Sequence, residues 1–283
     1  MPPVIGICRF SFVGRGDWVA FRDRSMDHTG ASFRQARAEE LYAADRMERR
    51  FVTLEHLLLK SMHAQTDTNF ILIILTSNLM PEQYRLRLQL LTVTDPRTRL
   101  IYSDAEDVDA ALVPELCKLN VEYGAKLVQF RIDDDDCLTH TYVETLQDIT
   151  ERFAGMGAFS FSIPKGLVTS FYEGEEPQHY TLDQPFHSAG AAARFGRADV
   201  SLFSFGHFAL QRRFNAYLFS DGFGHFSTKL ADQDSTKLSV SERAKQDHTE
   251  IAADEFAKLS EQYFPFVDLK QCIAALSPDS LAG

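Results

Sequence analysis

Four consecutive carboxylates, Asp133-Asp134-Asp135-Asp136, stand between an apolar run ending Phe130-Arg131-Ile132 and a helical pattern that starts at Thr139. Like charges this close repel one another, so the cluster is costly unless a cation or solvent compensates it. Hard divalent ions such as Mg²⁺ and Mn²⁺ prefer carboxylate oxygen, commonly one or two protein carboxylates completed by substrate phosphates. In open α/β sheets ligands bind beyond the carboxyl ends of the strands, which is where this stretch falls. In outline it is a site for a metal and a diphosphate. The plain alternative is a solvated acidic turn in which Asp136 caps the next helix. An EF-hand is excluded, because counting from Asp133 puts Cys137 at position five and Leu138 at position six. A phosphatase with an aspartyl nucleophile fits poorly: Lys165 and Asp221-Gly222 would have to supply its later partners, and its nucleophile strand usually comes first in the chain.

The elements that must position this cluster alternate between two periodicities. Val4–Phe10 reads as a buried strand. Asp45–His63 places Met47, Phe51, Leu54, Leu58 and Met62 at the three-and-four spacing of an amphipathic helix. Asn69–Thr76 is a continuous, β-branched strand, and Pro81 opens a helix through Leu91. Arg99–Ser103 is a third strand, Asp107–Asn120 a helix despite Pro114, Ala125–Ile132 a fourth strand and Thr139–Phe153 the helix after it. Such alternation predicts an α/β fold with a mainly parallel sheet and helices on both faces.

After Gly155 the pattern becomes a shorter, mixed β and loop half. Phe159–Ile163 and Leu167–Tyr172 read as a hairpin across Pro164-Lys165-Gly166, followed by a β-like piece at His179–Leu182 and a late strand at Asn215–Ser220. Residues 11–44 read as a long loop or insertion, Leu230–His248 as a polar mobile loop, and 250–276 as closing helices. The chain is expected to form a single unit over 1–283, with a ligand-binding half 1–155, a second half 156–249 and a helical extension 250–283. Many of the 23 phenylalanines fall in Phe153–Phe226, where core packing is their plainest use and a stacking surface the alternative.

Composition narrows the function. The 283 residues carry 29 Lys plus Arg against 40 Asp plus Glu, a formal charge of −11. With no dense basic segment to replace phosphate counterions, nucleic acid is not the expected partner. The longest purely apolar run, Phe70–Leu75, is far short of the roughly 20 residues a spanning helix needs. No basic amphipathic helix suggests a membrane surface, although a local patch leaves peripheral contact open. The N-terminus lacks the features of a signal peptide. Cys8, Cys117, Cys137 and Cys272 show no Cys-x-x-Cys pair, so free thiols in a reducing cytoplasm are expected. No Gly-x-Ser-x-Gly elbow supports a hydrolase triad.

The stretch Arg131-Ile132-Asp133-x-Asp135-Asp136-Cys137-Leu138 resembles the DxD motif of bacterial glycosyltransferases with the GT-A fold. Around it, Cys8-Arg9-Phe10-Ser11, Arg49-Arg50-Phe51-Val52-Thr53-Leu54, Ser61-Met62-His63-Ala64-Gln65-Thr66 and Ser77-Asn78-Leu79-Met80-Pro81-Glu82-Gln83-Tyr84 resemble the putative rhamnosyltransferase family over residues 4–230. The resemblance implies a GT-A-like fold and transfer of a sugar from a nucleotide-diphosphate donor to a carbohydrate or lipid-linked acceptor. It implies Mg²⁺ or Mn²⁺ at Asp133, Asp135 and Asp136, with Asp133 also placed to meet the nucleotide ribose. Arg9 and Asn78, at strand ends, are candidates for donor contacts, with an ion pair and a helix cap as their structural alternatives. For a later metal-binding histidine, His225 is preferred over His207; both are flanked by glycine, which permits close backbone approach. An inverting enzyme needs a base for the acceptor hydroxyl; Asp221 is the candidate and Asp183 and Asp199 its competitors. The other readings are a metal-dependent phosphoryl-transfer or hydrolytic enzyme using the same carboxylates, and a non-catalytic nucleotide-sugar-binding module.

Overall fold

A computed structural model of the chain describes residues 1–14, 31–171, 176–230 and 247–276. Strand β1 (Val4–Arg9) and helix α1 (Ala31–Leu41) lead into one long helical rod. The rod is made of α2 (Ala44–Thr53), a π-helical stretch Leu54–Leu59 and α3 (Lys60–His63). Its Met47, Phe51, Leu54, Leu58 and Met62 are all buried, as their spacing requires. Then come β2 (Phe70–Ser77), α4 (Glu82–Thr92), β3 (Thr98–Ser103), α5 (Val108–Glu122) and β4 (Gln129–Arg131). Short β5 (Asp136–Leu138) precedes α6 (Tyr142–Arg152) and β6 (Phe159–Ser162). The second half adds β7 (Lys165–Phe171), β8 (Gln178–Asp183), β9 (Ala192–Arg194), α7 (Leu210–Arg213), β10 (Ala216–Leu218) and β11 (His225–Leu230). It closes with β12 (His248–Ile251), α8 (Ala253–Tyr263) and α9 (Leu269–Ala275).

Among the described residues, seven strands form one sheet in the order β10-β6-β9-β4-β1-β2-β3. Every neighbouring pair in it is parallel except those of β9, which runs antiparallel to β4 and β6. Alternate residues of β1 and β2 serve opposite faces. Val4, Cys8, Leu72 and Ile74 pack with Phe51, Leu88 and Leu146 of α2, α4 and α6. Ile5, Ile7, Ile71 and Ile73 pack with Leu112, Leu116 and Leu119 of α5. The expected α/β class, with a mainly parallel sheet and helices on both faces, is therefore what the chain forms, and it is the architecture a GT-A resemblance implies. A second, five-stranded sheet runs β12-β8-β7-β11-β5. The phenylalanines of the second half do serve as core: Phe159, Phe161, Phe186, Phe195 and Phe226 are all buried.

Three sequence expectations are corrected. β6 and β7 do not form a hairpin: Pro164 marks a crossing between sheets, and the partner of β7 is β8, antiparallel from Lys165↔Asp183 to Ser170↔Gln178. Residues 11–44 are not all loop, since Ala31–Leu41 is helical. The fourth strand is confined to Gln129–Arg131. Most of the expected loop Leu230–His248 lies outside the described residues.

Four of the chain's passages between the two sheets, at 132–135, 163–164, 184–191 and 219–224, occur where the parallel strands of the larger sheet end. The Asp cluster is the first of them.

Candidate functional site

Arg9 and Arg131 are the last residues of the adjacent parallel strands β1 and β4. Their guanidinium groups converge on Asp133: Arg131 Nη2 donates to Oδ2 at 3.0 Å, and Arg9 Nη2 lies 3.5 Å from Oδ1. Both guanidiniums also sit over the Phe203 ring, at 4.8 Å for Arg9 and 5.3 Å for Arg131. Burial by itself would raise the Asp133 carboxyl, but the two arginines outweigh it and hold the group well below the usual carboxylate range.

The next three carboxylates divide by side. Asp134 is buried, ion-paired with Arg50 and accepting from Thr53 Oγ1 at 3.3 Å, both from α2. Burial raises its carboxyl to about 7, with Asp135 and Asp133 adding repulsion that Arg50 opposes. Asp136 is also buried; it opens β5 opposite Ser227 of β11, so it does not cap a helix. Burial, then Asp135 and Asp133, push its carboxyl well up. Asp133 and Asp135 remain partly exposed. The Asp135 carbonyl accepts from Thr228 Oγ1 at 3.1 Å, while burial and Asp133 raise its carboxyl against the pull of Arg50 and Lys229.

The loop 184–191 returns the chain to the same edge. Gly190 N–H donates to the Arg131 carbonyl at 2.8 Å, at a positive φ of 78°, and Tyr142 donates to the Gly190 carbonyl at 2.8 Å. Phe186 is held at φ 59°, with its N–H donating to Ser162 Oγ at 2.9 Å. His207 Nδ1 lies 2.7 Å from the Phe186 carbonyl. His187 stacks on His225, with ring centroids 4.5 Å apart and planes 5° from parallel.

The other residues predicted from sequence are scattered. His225 is wholly buried at the start of β11 against Gly166, and burial pulls its imidazole down to about 4. Among the described residues no three His, Cys, Asp or Glu side chains form a metal cage, so His225 does not join Asp133, Asp135 and Asp136 in one. Asn78 directly follows β2 and donates to Asp104 at 2.6 Å. Asp221 is exposed beyond β10, with β6 and β9 between that strand and β4. Asp183 is exposed at the end of β8, and Asp199 pairs with Arg197 at 2.6 Å.

Arg50, Thr53, Phe203 and His187 were not picked out from the sequence. Arg50 did leave a signal: three residues after Met47 and four before Leu54, it puts a charge on the apolar stripe of an amphipathic helix.

No curated protein matches the chain. Among solved structures it is similar to S. aureus TarS in complex with UDP (11% identity, 81% of this chain and 60% of that one, TM-score 0.37). It is also similar to TarS in complex with UDP-GlcNAc (12% identity, 99% and 72%, TM-score 0.38). A third is a putative nucleotide-diphospho-sugar transferase from Desulfovibrio desulfuricans G20 (8% identity, 98% and 97%, TM-score 0.39). The chain thus spans 60% of the length of the first of these. Residues 3–242 match the model of the family described as putative rhamnosyl transferase, and the chain belongs to that family.

Proposed function

We propose that the protein transfers a sugar from a nucleotide-diphosphate donor bound at the carboxyl edge of the larger sheet. The observation that carries this reading is the pair of guanidiniums, Arg9 and Arg131, fixed at the ends of adjacent strands beside a partly exposed carboxylate pair, Asp133 and Asp135. A diphosphate is the anion such a pair suits, because each planar guanidinium offers a fork of donors matched to phosphate oxygens. Phe203 supports both groups from one side, which limits their freedom before any ligand arrives.

The donor set fits a hard divalent ion. Asp135 supplies oxygen ligands next to the guanidinium-bound Asp133, and its raised carboxyl is what a nearby cation would relieve. Among the described residues no three-residue cage is present, so an ion held by Asp135 would be completed by diphosphate oxygens and water, the usual manner for Mg²⁺. When bound there, such an ion would supply Lewis-acid stabilisation of the departing diphosphate. Arg9 and Arg131 add positive charge where the leaving group gains negative charge. Asp134, buried against α2, and Asp136, in β5 against β11, hold the loop that carries the other two. The rhamnosyl family is consistent with a deoxyhexose as the transferred group, and a carbohydrate or lipid-linked hydroxyl as acceptor.

Thermal-shift measurements with UDP, GDP, dTDP and their sugar conjugates, with and without Mn²⁺, test this reading. A ligand binding only the folded state adds about 2.7 kcal/mol at one hundred times its dissociation constant. A shift with one nucleotide class that needs Mn²⁺, and is lost in Asp135→Asn, is expected. A shift with metal alone and none with any nucleotide would replace the donor site by a phosphoryl-transfer or simple metal-binding one.

A further inference from the structure

Two histidines of the second half stand on segments that touch the arginine pair: the 184–191 loop reaches Arg131 through Gly190 N–H on its carbonyl at 2.8 Å, Phe203, four residues before His207, lies under both guanidiniums, and His207 is tied to that loop at the Phe186 carbonyl. The charge of Arg131 bears on each ring, and those of Asp133 and Arg9 bear on His207. Their hydrogen bonds fix complementary tautomers. The His207 Nδ1 faces a carbonyl, Phe186 O at 2.7 Å, so Nδ1 carries the proton and Nε2 presents a lone pair. The His187 Nδ1 accepts from the Ala189 N–H at 3.3 Å, so its Nε2 carries the proton. One ring therefore offers an acceptor and the other a donor.

The backbone directly before His187 is strained. A non-glycine residue at positive φ is unfavourable and persists where its surroundings over-determine it. Among the described residues only Phe186 and Ser11 are of this kind. Phe186 is pinned by Ser162 on its N–H and His207 on its carbonyl, and Ser11 follows directly on β1 two residues after Arg9.

We propose that His187 and His207 form an uncharged donor–acceptor pair that binds hydroxyl groups of the sugar attached to the donor's diphosphate. This rests on the nucleotide-sugar reading above and deepens it. A sugar bonded to a diphosphate that sits on Arg9 and Arg131 lies beside that diphosphate, within the stretch these two rings border. Sugar hydroxyls both donate and accept, and a neutral imidazole of each tautomer answers one of those needs without attracting a further anion. Burial keeps both rings neutral: it holds His207 at about 4 and His187 well below its ordinary value. Stacking on His225 sets the plane of His187.

The test compares binding of nucleoside diphosphates (UDP, GDP, dTDP) with that of their sugar conjugates, in Mn²⁺, to the native chain, His187→Phe and His207→Asn. Phe keeps the stack on His225 but has no nitrogen; Asn retains a donor for the Phe186 carbonyl but lacks Nε2. A net hydrogen bond of ordinary strength predicts roughly three- to tenfold weaker binding of the sugar nucleotide in each variant. Unchanged affinity for the nucleoside diphosphate shows in the same titration that the variant is folded. Equal loss for both ligand classes, or no loss for either, overturns the hydroxyl-binding role while leaving the donor site in place. A native chain that binds no nucleotide removes the donor reading, and this one with it.

Discussion

At the scale of single residues, the four aspartates are chemically one run and structurally two pairs. Partners more than eighty positions away in sequence, Arg50 and Thr53, bury Asp134, while Arg9 and Arg131 hold Asp133 ionised at the surface. The run was legible in the sequence because like charges in a row are conspicuous. The division was not, since nothing in the spacing says which side chain meets which distant partner. Removing one member of a buried ion pair typically costs about 3–5 kcal/mol, because the other charge stays buried without it. Arg50→Met is therefore expected to lower stability by about that much, read as a shift in the urea midpoint. Arg131→Met should spare the fold and weaken nucleoside-diphosphate binding at least tenfold, measured by calorimetry. The histidines set a pH dependence. His207 and His225 are held at about 4 and His187 is lowered too, so between pH 6.5 and 4 these three rings bind more protons unfolded than folded, whereas the raised carboxyls of Asp134, Asp135 and Asp136 do the reverse. The histidines' share of the stability is lost as pH drops through that window, and His225→Gln should remove about one proton's worth of that share from the slope.

At the scale of elements, the helical rod brackets the acidic crossing. Thr53 ends α2 on Asp134, and beyond the π-helical stretch Ser61 accepts from the Leu138 N–H at 2.8 Å and donates to its carbonyl at 3.1 Å. Residues on both sides of the stretch thus tie down the two ends of the segment 134–138. The heptad-like spacing of Met47 to Met62 showed the rod but not its wider turn, because burial is satisfied either way. Ser61→Ala leaves a buried N–H without its partner and is expected to cost about 1–3 kcal/mol in thermal unfolding. The β6–β7 pair misled for a comparable reason: Pro164-Lys165-Gly166 has the composition of a tight turn, whereas the flanking strands belong to different sheets. Gly166 instead makes room for a ring. A Cβ there would lie 2.1 Å from His225 Nε2, so Gly166→Ala should displace His225, loosen the stack on His187 and lower the melting temperature.

At the scale of the whole molecule, neither half of the sequence owns a sheet. β4 takes its outer partner, β9, from beyond the 184–191 crossing, and β10, from later still, closes the far edge of the same sheet. The alternating pattern of the first half was enough to give the class and the parallel core, since local periodicity decides both. The interleaving was not legible, because short strands carry little information about which sheet they join. This interleaving has a consequence for biosynthesis. While the chain emerges from the ribosome, β4 is available long before β9, and its outer edge presents unpaired backbone groups next to apolar Phe130. Exposed edges of that kind recruit other chains. A fragment ending at residue 158 should therefore aggregate on expression, whereas the chain carried through β10 should not.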